Sequence, residues 1–292
     1  MSLLYLKSFK SLIHLNSRSL ADPLPKRTMR FAANISSLFE DIPNHINKYE
    51  EVVKRSDFRF DAIEAQNPYQ CSLEEWRQLL TRVPTLKWVL INSRPLWDQF
   101  NDVMPTREQL EQVLKDTADY AKALNVSKVH LLLKDIKSDS EIYIDLLFNH
   151  LIGISPQMRD LISMSAQYLE PFGVTCVLEP LSIRPNYYLR SYDLAKQLVQ
   201  EINKPNVKLM LDTYHLQRLH GNLTHYIHDL KPYIGHVQIS QVPNRDCPVG
   251  EGEINHSYAL KQISRVYDDY VGLEYKNQSS DSFLWLNEFK DL

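Results

Sequence analysis

The sequence predicts an α/β protein that folds as one (β/α)8 TIM barrel over residues 29–292, after a short extension of residues 1–28. Eight short apolar runs alternate with segments of helical periodicity, which is typical of repeated strand–helix units. The runs are almost continuously apolar, as expected for parallel strands that are covered on both faces. No repeat, linker or low-complexity segment divides the chain, and 292 residues suffice for one closed barrel.

The predicted strands are rich in β-branched and other apolar residues. In chain order they are Arg30–Ile35, Phe60–Ala65, Leu86–Ile91, Lys128–Leu133, Val174–Leu178, Val207–Leu211, Ile234–Ile239 and Tyr270–Tyr275. A doubly wound open sheet is the alternative, but it usually carries a glycine-rich phosphate turn after its first strand. Here the sequence Asn-Ile-Ser-Ser of residues 34–37 contains no glycine, and the barrel is therefore favoured.

Helix starts are indicated by capping residues between the strands. They are predicted at a capping box of Ser72 and Glu75, a capping box of Thr106 and Gln109, a cap at Ser191 and a restart at Pro156. The restart belongs to residues 141–171, which predict two helical pieces with a break near Gly153. These helices would cover the outside of the barrel.

Composition excludes several classes of function. A net charge of -3 with 24% charged residues gives no positive field for nucleic acid or an anionic membrane. The three cysteines are far apart without a C-x-x-C pair, which favours a reducing compartment over a disulfide framework. No apolar run reaches the roughly 20 residues that span a bilayer. We therefore expect a soluble cytoplasmic protein without nucleic-acid or membrane partners, and leave open whether it forms a homo-oligomer.

Residues 1–28 differ from the remainder in composition. They are basic and serine-rich, and Asp22 is their one acidic residue. That composition resembles an organellar presequence and raises a mitochondrial location as an alternative. A disordered extension, or an upstream start before Met29, explains the same composition.

Polar residues stand at the carboxyl ends of four successive strands, where barrels of this kind carry their chemistry. Strands five to eight end with or carry Glu179, Asp212, Gln238 and Glu274. Three carboxylates and an amide oxygen suit a hard divalent cation such as Mg²⁺ or Mn²⁺. Without a cation they would repel, and at least one carboxylate would be protonated. Two glutamates that flank a small substrate can also act as base and acid, so Glu179 and Glu274 are the predicted catalytic pair.

Each residue also has a simpler interpretation, since a glutamate at a strand end commonly pairs with Lys or Arg. Polar residues at the ends of four successive strands nevertheless favour a functional site. His215, three residues after Asp212, could bind metal, form a hydrogen bond with a substrate oxygen or fill the rim. Arg245, in the loop after strand seven, could bind a substrate carboxylate or be a solvated loop charge. Glu253 could orient Arg245, and Glu64, at the end of strand two, is a further substrate-binding candidate.

Six short motifs carry a family resemblance. They are Met29–Ser36, Leu178–Pro180, Asp212–Gln217, Gly235–Ile239, Gly252–Asn255 and Glu274–Lys276. Together they resemble the hydroxypyruvate isomerases, a group within the xylose isomerase-like TIM barrels. The resemblance covers roughly residues 29–285. It implies interconversion of hydroxypyruvate and 2-hydroxy-3-oxopropanoate (tartronate semialdehyde) through an enediol, as in glyoxylate metabolism.

The resemblance also implies roles for individual residues. Glu179 and Glu274 fall on the two proton donor/acceptor positions, and Asp212 and Gln238 on the other metal-site positions. His215 and Arg245 fall on positions that meet the small oxo-acid substrate. The chain departs from the family at Ser182, where asparagine is common, and at residues 245–248, where Arg-Asp-Cys-Pro replaces Arg-Gly-Glu-Pro.

Three other functions compete with the isomerase. A ketose 3-epimerase would be expected to carry a metal-binding histidine at the position of Gln238. A DNA-repair endonuclease of the endonuclease IV type needs a zinc cluster with histidines from strands two and three, which here end near Glu64 and Asn92. A non-catalytic barrel that binds a metabolite would retain the site residues without turnover.

Overall fold

Eight parallel strands close into a barrel in the computed structural model, which describes residues 28–97, 103–136 and 154–292. Each strand pairs with the next along the chain, and the last pairs with the first, with Ala32 opposite Gly272. The strands β1 to β8 are Arg30–Asn34, Ala62–Ala65, Lys87–Asn92, Lys128–His130, Thr175–Leu178, Val207–Asp212, Ile234–Ile239 and Tyr270–Leu273. All eight lie at predicted positions, so the predicted (β/α)8 fold is confirmed.

Helices follow the strands and pack on the outside. The described ones, α1 to α8, are His45–Lys54, Leu73–Arg82, Arg107–Leu124, Pro156–Leu169, Tyr192–Ile202, Thr213–Leu219, Leu223–Asp229 and His256–Ile263. Both predicted capping boxes are formed: the Ser72 and Thr106 hydroxyls accept from backbone N–H groups, and Glu75 and Gln109 accept in return. Ser191 caps α5 as predicted.

Two sequence predictions fall largely outside the described residues. The restart at Pro156 is confirmed as the first residue of α4. The first helical piece predicted within residues 141–171 lies outside the described ranges, as does the extension of residues 1–28 except for Thr28. No helix within the described ranges is long and apolar enough to cross a bilayer.

The core lies mainly between the barrel and its helices. Tyr49, Trp76 and Trp88 form a fully buried aromatic group there, with ring centroids of Trp76 and Trp88 at 5.1 Å in an edge arrangement. Inside the sheet, a smaller apolar cluster is formed by strand residues alone, among them Ala32 and Ala62. Other inward strand positions carry buried polar groups, and these define the candidate site.

Candidate active site

Four polar side chains meet where β5 to β8 end. Asp212 is the last residue of β6 and pairs with Gln238 of β7, while Glu179 and Glu274 directly follow β5 and β8. Their exposed fractions are 4% for Glu179, 0% for Asp212, 1% for Gln238 and 3% for Glu274. Parallel strands of a closed barrel all end on the same side, which explains why residues distant in sequence meet there.

Asp212 is held in a fixed orientation by local hydrogen bonds. Its Oδ1 accepts from the backbone N–H of Tyr214 at 2.7 Å, which caps α6. Its own N–H donates to the hydroxyl of Tyr192 at 3.1 Å. Its second oxygen, Oδ2, therefore points away from the helix and accepts from Nη2 of Arg245 at 3.2 Å.

Arg245 places its guanidinium between two of the carboxylates. Nη2 donates to Oδ2 of Asp212 and, over a short distance, to Oε1 of Glu274. The Arg245 backbone has φ of 66°, a left-handed conformation that is uncommon for residues other than glycine. It is secured because its N–H donates to Gln241 O at 2.9 Å and its carbonyl accepts from Lys276 N–H at 3.0 Å. The loop after β7 thus holds a cation against the site.

Glu179 lies against two buried imidazoles. Its Oε2 is 3.5 Å from Nδ1 of His130, and its Oε1 is 3.9 Å from Nε2 of His215. Burial lowers the pKa of His130 to about 3 and that of His215 to about 4, so both rings are neutral at pH 7. Burial raises the pKa of Glu179 well above its usual value, and the neighbouring carboxyl groups of Glu274 and Asp212 raise it further.

Glu274 has a more favourable setting for a negative charge. Burial raises its pKa to about 8, while the adjacent Arg245 guanidinium opposes that shift. Gln66, which follows β2, also donates a hydrogen bond from Nε2 to Oε1 of Glu274. As pH rises, Glu274 is therefore the first of the two glutamates to ionise and Glu179 keeps its proton longer, so the pair can offer an acid and a base together once Glu274 has lost its proton.

Glu64 lies beneath the rim and supports Gln238. Oε1 of Glu64 accepts from Nε2 of Gln238 at 2.7 Å and from Nδ2 of Asn34 at 2.9 Å, and Oε2 is 2.7 Å from Nε2 of His236. Glu64 is fully buried. Its contacts are with these supporting side chains, so the structure does not bring Glu64 to the substrate-facing position that the sequence suggested.

Glu253 lies in the loop after β7. It is exposed, and its backbone N–H donates to the carbonyl of Val242 at 3.0 Å. Gln66 and His130, in contrast, were missed by sequence reasoning although they contact the two glutamates. The signal that could have found them is the one applied to β5 to β8: Gln66 follows β2, and His130 ends β4.

The residues fit a divalent cation. Oε1 of Glu179 and Oε1 of Gln238 are buried without a hydrogen-bond partner among the described residues. Oδ2 of Asp212 and Oε1 of Glu274 are held by the Arg245 guanidinium, itself a cation. Ligand atoms of Glu179, Asp212 and His215 all lie within 4.8 Å of one another. Unpartnered buried oxygens are costly unless something binds them, so this donor set has the chemistry of a hard-cation site.

Comparison with known families and proteins agrees with the fold. The model of the family described as "Xylose isomerase-like TIM barrel" matches residues 53–289. A Danio rerio protein named "Putative hydroxypyruvate isomerase" is 31% identical, over 89% of this chain and 95% of its own. A "2-oxo-tetronate isomerase" from Pectobacterium atrosepticum is also 31% identical, over 88% of this chain and 96% of its own.

Solved structures share the architecture. One titled as an AP endonuclease, family 2, from Brucella melitensis has a TM-score of 0.74 and 27% identity, over 90% of this chain and all of its own. A D-psicose 3-epimerase from Clostridium cellulolyticum H10 has a TM-score of 0.67 over 90% of this chain and 91% of its own. At 17% identity, the epimerase shows a common fold alone.

Proposed function

The chain belongs to the xylose isomerase-like TIM barrel family, and from that premise we propose that it is a hydroxypyruvate isomerase. The proposed reaction interconverts hydroxypyruvate and 2-hydroxy-3-oxopropanoate. The observation that carries the proposal is the buried pair Glu179 and Glu274, which interact electrostatically with each other and with Arg245, whose guanidinium contacts Glu274 directly. An isomerase of this class needs an acid and a base on either side of a short oxo-acid, and this pair supplies both.

The proton transfers balance without a redox partner. One glutamate, as carboxylate, removes a proton from C3 of hydroxypyruvate, and an enediol forms across C2 and C3. The other glutamate, as carboxylic acid, delivers a proton to C2, while the hydroxyl proton on C3 passes to the oxygen on C2. A C–H bond at C3 breaks and one at C2 forms, so the product is the aldehyde and both glutamates exchange roles for the reverse reaction.

Arg245 is proposed to bind the substrate carboxylate. Its side chain is 16% exposed, which leaves a route for a small anion. Its Nε is buried without a hydrogen-bond partner among the described residues, so it retains a donor for a ligand. A guanidinium binds carboxylates through parallel N–H groups and is suited to orient a substrate of this kind.

The proposed cation ligands are Oε1 of Glu179, Oδ2 of Asp212, Oε1 of Gln238 and Oε1 of Glu274. Bound there, Mg²⁺ or Mn²⁺ would polarise the substrate carbonyl and stabilise the enediol charge. Glu64 is proposed to orient Gln238: because its carboxyl group accepts from Nε2 of the amide, the oxygen of Gln238 is left facing the site.

Isomerisation of a longer oxo-acid is the second candidate, since the chain is as similar to a 2-oxo-tetronate isomerase as to a hydroxypyruvate isomerase. An epimerase is less favoured because the position of Gln238 lacks the expected histidine. The endonuclease alternative is disfavoured because the candidate metal group among the described residues contains one histidine, His215. A barrel that binds a metabolite without turnover would be distinguished from an isomerase by a proton-exchange experiment.

Proton exchange tests the proposal. Purified protein is incubated with hydroxypyruvate and Mg²⁺ in D₂O, and deuterium in substrate and product is followed by NMR; 2-oxo-tetronate serves as the competing substrate. Exchange in the wild type that is lost in Glu179→Gln supports the isomerase. Glu170→Gln is the matched control, because Glu170 is exposed and precedes the opposite end of β5. Absence of exchange with any divalent cation would favour the binder.

A further inference from the structure

The ring of His215 is held on one nitrogen by a single neighbouring residue. The backbone N–H of Ser182 donates to Nδ1 of His215 at 3.0 Å, and the Ser182 hydroxyl lies 2.8 Å from the same nitrogen. His215 is fully buried in the first turn of α6, and Ser182 lies in the loop after β5.

The backbone N–H fixes which ring nitrogen carries the proton. A backbone amide can only donate, so Nδ1 of His215 must be the acceptor and cannot itself be protonated. The neutral ring then carries its proton on Nε2, which faces the site at 3.9 Å from Oε1 of Glu179 and 4.0 Å from Oδ2 of Asp212. His215 therefore presents a donor, and no lone pair, to the carboxylates.

The contact with Arg245 is consistent with this tautomer. Nη2 of Arg245 lies 3.5 Å from Nε2 of His215, which is the distance limit of a hydrogen bond. Nη2 has two hydrogens, and these are directed at Asp212 and Glu274. No hydrogen remains for Nε2, so the 3.5 Å separation is a proximity of two donors.

We propose that Ser182 is a positioning residue that locks His215 in the Nε2–H tautomer, so that His215 donates to a substrate oxygen and does not bind the cation. A metal bond through Nε2 would require the proton to move to Nδ1, directly against the Ser182 N–H. The cation site is then formed by oxygen atoms alone, which favours Mg²⁺ or Mn²⁺ over Zn²⁺. The substrate role rests on the proposed function, whereas the tautomer and the exclusion from the metal site do not.

The tautomer is measured directly on the wild-type protein. Long-range ¹H–¹⁵N correlation spectra of ¹⁵N-histidine-labelled, metal-free protein distinguish protonated from unprotonated ring nitrogens, and the His215 signals are assigned by their loss in His215→Asn. We expect an unprotonated Nδ1 and a protonated Nε2, unchanged when Mg²⁺ is added. A protonated Nδ1, or a shift of the proton on addition of Mg²⁺, would overturn the proposal.

Variants test what the lock does. Ser182→Ala keeps the backbone donor and should keep the tautomer, whereas Ser182→Pro removes the donor and should populate the Nδ1–H form. Failure of Ser182→Pro to fold leaves the wild-type spectrum as the deciding result. For activity, His215→Gln places an amide N–H near the Nε2 position and should retain more kcat than His215→Asn, whose amide lies near Nδ1.

Metal affinity separates this inference from the proposed function. If His215 is no ligand, His215→Asn should lose no more Mn²⁺ affinity than the roughly 10–100-fold that removal of a neighbour supporting a ligand costs; a larger loss would mark His215 as a ligand and overturn the exclusion. The spectra and the Mn²⁺ titration need no substrate. If both agree while hydroxypyruvate shows no exchange, the proposed reaction fails and the assignment of His215 stands.

Discussion

Replacing Gly272 with alanine is expected to disturb the buried support of the site while leaving the barrel closed. Gly272 lies on β8, next to Gln238 of β7. An alanine Cβ there would be 2.5 Å from Oε2 and 2.6 Å from Cδ of Glu64. Ordinary contacts between carbon atoms are roughly 3.5–4.0 Å, so the Glu64 carboxyl group must move by about 1 Å. That group is the acceptor for Gln238 and Asn34.

The cost has two parts. Overpacking a buried position costs about 1–3 kcal/mol. Displacing Glu64 also weakens its hydrogen bonds, and the loss of one such buried bond costs about 1–3 kcal/mol. We therefore expect the free energy of unfolding to fall by about 2–6 kcal/mol. At about 2–4 °C for each kcal/mol in a chain of this size, Tm should fall by roughly 4–24 °C.

Thermal unfolding and Mn²⁺ titration check both consequences. Because Gln238 loses the acceptor that orients it, Gly272→Ala should also bind Mn²⁺ about 10–100-fold more weakly. Gly250→Ala is the control: its Cβ would meet the Cys247 carbonyl oxygen at 3.2 Å, a mild contact outside the barrel strands. Wild-type Tm and affinity in Gly272→Ala would refute the assignment of Glu64 as the support of the site.

Three further predictions concern the rim. Arg245→Ala should bind Mn²⁺ more tightly than the wild type, because Asp212 and Glu274 lose a competing cation; weaker binding by titration calorimetry would contradict this. Gln66→Leu removes a donor to Glu274 and should lower kcat about 10-fold or more with little change in unfolding free energy, as compared by chemical denaturation. In the metal-free protein, the free energy of unfolding should decrease as pH rises from about 5 to 8. Burial raises the pKa of Glu274 to about 8, so over this range Glu274 holds its proton in the folded protein and loses it in the unfolded chain. A free energy of unfolding that increases over the same range would refute this prediction.

The sequence predicted the fold because each local signal agreed with the global arrangement. Apolar runs marked all eight strands, and the capping residues Ser72, Thr106 and Ser191 began the predicted helices. Strand ends were less predictable. The fourth strand was predicted as Lys128–Leu133, but β4 ends at His130 because the chain leaves the sheet there and enters a loop. Leu131 and Leu133 nevertheless remain buried. Apolar character reports burial, and burial continues past the last paired residue.

The site was predictable where position on a strand determines direction. Asp212 and Gln238 end or nearly end their strands, and the barrel brings such positions together. The contacts of Ser182 and Gln66 depend on loop backbone conformation, which no spacing rule specifies. Glu64 shows the opposite case: its strand-end position suggested substrate contact, yet its side chain is turned inward onto His236. Packing, and not position along the strand, decides that the Glu64 carboxyl group supports Gln238 beneath the candidate site.

The charge balance of the rim would couple the proposed recognition of a substrate carboxylate to the proposed binding of a cation. Within the described residues, Arg245 is the cation in contact with both Asp212 and Glu274. If its guanidinium turns to a substrate carboxylate, two buried carboxylates lose their partner, which costs several kcal/mol. A divalent cation among the oxygen ligands would remove that cost. Because such coupling is reciprocal, bound substrate would strengthen cation binding by the same factor by which the bound cation strengthens substrate binding. The carboxylates of Asp212 and Glu274 would provide this coupling, because they need a cationic partner in either state.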